Sequence, residues 1–86
     1  ALTTGNSLNE ILVFARYNKV SDVHLCSKNP IIFRKFGSLK AMTENALTPE
    51  RVQAMIKEGI KPELVAEFEQ RGDLEFVHTI QFFGQN

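Results

Sequence analysis

Ser21-Asp22-Val23-His24-Leu25-Cys26-Ser27-Lys28-Asn29-Pro30-Ile31-Ile32-Phe33-Arg34-Lys35-Phe36-Gly37-Ser38-Leu39-Lys40-Ala41-Met42 is the one stretch of the sequence that reads as continuous sheet, and helical patterns flank it on both sides. In Val23-His24-Leu25 the apolar residues fall two apart, so Val23 and Leu25 face one side of a strand while His24 and Cys26 face the other. Ser27 to Pro30 reads as a loop. The run Ile31 to Phe36 is dense in β-branched and aromatic residues, which a pleated surface accepts more readily than a helix. Gly37-Ser38 then interrupts it in the manner of a type II′ turn, with Phe36 and Leu39 flanking a tight hairpin. The stretch therefore predicts three strands, with helices on either side that need a sheet to pack on.

A chain of 86 residues has room for one small domain, near the lower size at which a single core suffices. The apolar content of 43%, with seven Phe, argues for a packed globule rather than a disordered tail. Ten basic residues balance ten acidic ones, so no overall field draws the chain to nucleic acid or anionic lipid. Cys26 stands alone, which removes any internal disulfide or cysteine-built zinc site and fits a reducing compartment. No apolar run approaches the ~20 residues that span a bilayer, and the N-terminus lacks a signal-peptide pattern. The expectation is a cytoplasmic domain with no direct membrane insertion.

Taken in order, residues 1–6 are small and polar and read as a disordered start or an expression remnant. Ser7-Leu8-Asn9-Glu10 is a capping box, and Leu8, Ile11, Leu12 and Ala15 follow at helical spacing, with Phe14 widening the stripe and an end near Asn18-Lys19. Thr48 as N-cap with Pro49 after it starts a second helix, in which Val52, Met55 and Ile56 turn inward, Leu47 and Val52 form a hydrophobic staple, and Gly59 ends the helix. Pro62 opens an expected third helix with Leu64, Val65 and Phe68 inward, ended by Gly72. Asp73 to Ile80 returns to strand, with Leu74, Phe76, His78 and Ile80 on one face. The Gly-containing approach to a turn after it suggests half a hairpin, an open sheet edge, and a chain that continues natively.

The residues that carry chemistry are few. Asp22 and His24 point the same way and could suit a metal or an acid–base pair, with His78 as a distant third ligand, but nothing completes such a site. Structural roles are the stronger reading: backbone amides for Asp22 at the strand entry, a hydrogen bond for each histidine, an inert core position for Cys26. Arg34, Lys35 and Lys40 sit near one hairpin, where cations commonly form a solvated or edge-protecting face. No phosphate loop, nucleophile elbow or dinucleotide fingerprint is present, so no catalytic, metal or cofactor residue is assigned.

The order of motifs resembles one family. Leu8-Asn9-Glu10-Ile11-Leu12, then Val20-Ser21-Asp22-Val23-His24-Leu25, then Pro30 to Leu39, is similar to the N-terminal domain of PilT-type pilus retraction ATPases and related secretion ATPases. Their pattern is a short helix, Ala-Ser-Asp-(Leu/Ile)-His-(Leu/Ile), a loop, and an Arg-(Val/Ile)-(Asp/Asn)-Gly hairpin. Ser21, Asp22 and His24 match the signature, and Arg34 and Gly37 match the hairpin, although Lys35-Phe36 replaces the apolar-then-acidic pair. Leu47 to Ile56, Glu67-Phe68-Glu69 and Asp73-Leu74-Glu75-Phe76 resemble the family's later elements.

The resemblance implies an α+β, PAS-like domain over residues 7–86, an antiparallel sheet with helices packed on it in the order α-β-β-β-α-α-β, cut before its last strand and the ATPase core. It implies a catalytically silent fragment of a hexameric ATPase of twitching motility or protein secretion, cytoplasmic at the inner face of the inner membrane through partners. The domain would pack against the ATPase core of its own and adjacent subunits and move with ATP hydrolysis, ATP and Mg belonging to the parent protein and none to this fragment. Ile32, Arg34 and Phe36, placed together by strand alternation, are the expected interface. Alternatives are a free-standing PAS-like module for small molecules or protein partners and, more remotely, a metal enzyme on Asp22, His24 and His78.

Overall fold

The computed structural model describes residues 2–61, 63–64, 68–73 and 77–82. Helix α1 (Leu8–Tyr17) begins at the expected capping box: the Ser7 hydroxyl accepts from the Glu10 amide at 3.1 Å, and the Ser7 amide donates to the Glu10 carboxylate at 2.9 Å. Its other end is a Schellman closure in which Lys19 takes the left-handed position at φ 59, and the Val20 and Lys19 amides donate to Ala15 O and Arg16 O. Val20 and Ala15 are both buried there, which is the apolar contact that accompanies the motif.

Strands β1 (Asp22–Cys26), β2 (Ile32–Lys35) and β3 (Ser38–Ala41) follow as a meander, then helix α2 (Pro49–Glu58), then β4 (Phe68–Asp73) and β5 (Val77–Phe82). The Thr48 hydroxyl caps α2 by accepting from the Arg51 amide at 3.0 Å, with Pro49 in the first turn. Leu47 and Val52 are both fully buried, as the staple requires. The strands form one antiparallel sheet in the order β3-β2-β1-β5-β4, with β1 at its centre. The molecule is thus an α+β domain, an antiparallel sheet with helices packed on it.

Both helices lie on one face of that sheet. Val23 and Leu25 of β1, Phe33 of β2, and Ile80 and Phe82 of β5 join Leu8, Ile11, Leu12 and Ala15 of α1 and Val52 and Met55 of α2 in a single buried cluster. Each such side chain contributes about 1.5–3 kcal/mol when fully removed from water, so this cluster dominates the stability of the fold.

Several expectations need correction. The helix expected from Pro62 to Gly72 gives way to strand over Phe68–Asp73, while residues 62 and 65–67 lie outside the described ones. The Glu, Gln and Arg of this segment favour helix by only tenths of a kcal/mol each, whereas pairing Phe68 with Phe82 through Asp73 with Val77 supplies β5 with backbone partners. The edge expected to be open after the last strand is accordingly taken by β4. Leu64, expected to face inward, is buried, with its amide bonded to Lys61 O at 2.9 Å.

The hairpin turn also moves by one residue. Lys35 pairs with Ser38, so the turn is centred on Phe36-Gly37, with φ of 51 and 81: a type I′ geometry rather than the expected II′ at Gly37-Ser38. Residues 2–6 make contacts with the body of the domain. Arg51 donates from Nε to Thr4 O at 2.7 Å and from its terminal nitrogen to Asn6 O at 2.6 Å, and Leu2 packs against the core.

Candidate functional site on the open sheet face

Strand alternation sends the residues between the core positions to the opposite face, where no described helix lies. Asp22, His24 and Cys26 of β1 share that face with Ile32 and Arg34 of β2, Leu39 and Ala41 of β3, and Val77, Thr79 and Gln81 of β5, as the pairings Asp22–Arg34, His24–Ile32, His24–Thr79 and Cys26–Val77 require. All are half-buried or exposed, and Leu39 is 59% exposed. The face mixes apolar, polar and charged groups; no group of three or more metal-ligating side chains occurs among the described residues.

The signature residues meet at the entry to β1. Asp22, expected to bond backbone amides, turns its carboxylate to Arg34 Nε at 3.6 Å and to the Ser21 hydroxyl at 2.9 Å. That hydroxyl also lies 3.1 Å from Arg34 O, and the Ser21 backbone bridges strands by donating to Arg34 O and accepting from Phe82 N, both at 2.9 Å. Ser21 therefore continues the ladder on both sides of β1, and Asp22 fastens the β2 arginine over it. At this exposure the ion pair contributes at most about 1 kcal/mol, so it orients a guanidinium more than it stabilises a fold.

Two residues further, His24 Nδ1 lies 3.1 Å from Thr79 Oγ1, while its Nε2 is shielded from solvent without a partner among the described residues. Burial pushes the imidazole below its usual value; the nearby Asp22 carboxylate acts against that shift and Arg34 with it. Thr79 carried no signal in the sequence, because its part depends on the register between two strands 55 positions apart.

The expected interface residues divide. Ile32 and Arg34 stand together on the open face, but Phe36 sits in the turn, where alternation ends, 71% exposed with Lys35 Nζ 5.6 Å from its ring centre. His78 faces the other way: it pairs with Leu25 on the helix side and lines a recess with Gln53, Ile56 and Lys57 of α2. Asp22, His24 and His78 therefore cannot gather round one metal ion. The Cys26 thiol lies within bonding distance of Ser27 O and of the Asn29 amide nitrogen, in the turn that follows β1. What the face offers is a mixed apolar and polar surface on which Asp22 orients Arg34.

No protein-family model matches the sequence, and no curated protein is similar to it at a significant level. No helix among the described residues is long and apolar enough to cross a membrane.

Proposed function

We propose that the chain is a non-catalytic accessory domain of a hexameric pilus retraction or secretion ATPase, and that its open sheet face is the surface it packs against the ATPase core of its own or an adjacent subunit. The observation that carries this reading is the one-sidedness of the sheet. Both helices cover one face, and the other carries half-buried Ile32, Val77 and Cys26 beside the Asp22–Arg34 pair, a composition that suits burial against a partner. Support also comes from Ser21, Asp22 and Arg34, which carry part of the sequence resemblance and bond to one another at the β1 entry.

In that role the domain does no chemistry. It moves as a rigid body when nucleotide binds elsewhere, so that hydrolysis in the parent protein, with its ATP and Mg, deforms the ring. The setting is cytoplasmic, with pilus or secretion machinery at the membrane as the further partner. Reading the gene beyond the codon for Asn86 tests it: an Arg-Phe-Arg strand and then Gly-x-x-x-x-Gly-Lys-(Ser/Thr) supports the motor reading. A stop codon, or a following domain without a phosphate loop, rejects it.

A further inference from the structure

The helix side of the sheet is left partly uncovered beyond the end of α1, where the β2–β3 hairpin runs on past the helix. The recess there has a volume of about 160 Å³; Phe14, Val20, Phe33 and Met42 form its apolar lining and Lys35 and Lys40 its charged one. Lys40 stands directly across the ladder from Phe33, and Phe14 meets Phe33 edge-on, ring centres 6.2 Å apart at 62°. A ligand ring can add to such a pair by offset or edge-on contact.

Among the described residues no carboxylate lines the recess and neither lysine is ion-paired; the Asp22 carboxylate lies on the opposite face of the sheet, engaged with Arg34. The Lys35 ammonium lies 5.6 Å from the centre of the Phe36 ring, a contact that leaves its positive charge available to an anion. Size narrows the ligand further. An apolar cavity of about 150 Å³ accepts a benzene ring, while drug-sized ligands need about 300 Å³ or more.

We propose that this recess binds a small organic carboxylate with a ring-sized apolar body, the ring against Phe14 and Phe33 and the carboxylate between Lys35 and Lys40. A neutral molecule of the same shape gains the apolar contact but leaves the cations unanswered, so charge selects the ligand. The site uses the helix side of the sheet, and its success or failure is independent of the partner proposed for the open face.

Titration of the isotope-labelled protein with benzoate, and separately with the neutral isostere benzamide, followed by amide resonances, tests the proposal. Benzoate is expected to shift Phe33, Lys35, Lys40 and Met42 saturably in the millimolar range, with benzamide binding at least tenfold more weakly. Added salt should weaken benzoate alone. Lys40→Gln, at an exposed position and checked for an unchanged melting temperature, should lower benzoate affinity several-fold without changing benzamide; Lys57→Gln on α2 should change neither. Equal binding of the two molecules, shifts centred elsewhere, or no saturable shift would each overturn the assignment.

Discussion

Arg34 reaches across from β2 to the Asp22 carboxylate of β1, its register partner, at 3.6 Å, and Asp22 in turn accepts from the Ser21 hydroxyl at 2.9 Å. The pair is anchored on the acidic side, where Asp22 is 13% exposed, and open on the basic side, where Arg34 is 44% exposed. A guanidinium so held can meet a partner carboxylate without first losing much rotamer freedom.

Replacing Arg34 with Ala should therefore change stability by no more than about 1 kcal/mol and, on the function proposed above, weaken assembly of the ring. Denaturant unfolding of the domain and sedimentation of the full-length protein measure the two effects. A large loss of stability with normal assembly would make the residue purely structural.

Phe36 occupies a left-handed conformation, φ 51, that a bulky side chain adopts at a cost of about 1–2 kcal/mol. Phe36→Asn creates the Asn-Gly pair that a type I′ turn favours. The variant should unfold at a higher denaturant concentration, by about 1 kcal/mol. If the exposed ring serves the interface, the same variant should assemble less well, and opposite movements of stability and assembly would separate the two roles.

Arg51 holds the carbonyls of Thr4 and Asn6 at 2.7 and 2.6 Å. Charge-assisted bonds of this kind contribute about 1.5–3 kcal/mol, so Arg51→Met, which keeps an apolar stem, should cost roughly 2 kcal/mol and free residues 2–6. Hydrogen exchange should then speed up at Asn6 while the β1 amides stay protected. Slow exchange at Asn6 in the variant would mean that Leu2 and the bond from Asn6 to Glu10 secure the segment without Arg51.

His24 gives the fold a pH dependence of definite sign. Its folded pKa lies below the usual 6.5, so as pH falls past that value the unfolded chain takes up a proton that the folded chain resists, and stability declines. Well above 6.5 both states are unprotonated and this linkage vanishes. Glu10 adds a second, weaker loss in the carboxylate range: the Ser7 amide, and then the Asn6 side chain, depress its pKa, but it lies at the surface, where solvent screens the effect. His24→Gln should flatten the decline between the histidine and carboxylate ranges and leave the acid limb unchanged. An unaltered pH profile would remove His24 as its source.

Signals that act within a few residues were legible in the sequence. The Ser7–Glu10 box, the Thr48-Pro49 start and the alternation around Val23 and Leu25 each state a local hydrogen bond or a local face, and each appears as read. Phe68–Asp73 was not legible, because its partner is the free edge of β5 and its own side chains favour helix. The hairpin was misread by one residue because Gly37 suits the second place of a type I′ turn as well as the first of a II′, and only the pairing of Lys35 with Ser38 decides. Asp22 and His24 were singled out, yet their partners Arg34 and Thr79 follow from strand register, and the clamp of Arg51 on Asn6 spans 45 positions.

The most direct test of the open sheet face is hydrogen exchange at its residues when the labelled domain meets the ATPase core proposed above as its partner, expressed separately. The account predicts slowed exchange or shifted resonances at Asp22, His24, Ile32, Arg34 and Thr79, lost in Arg34→Ala, with α1 unaffected. Binding that instead perturbs the helix side, or no binding at all, would contradict it.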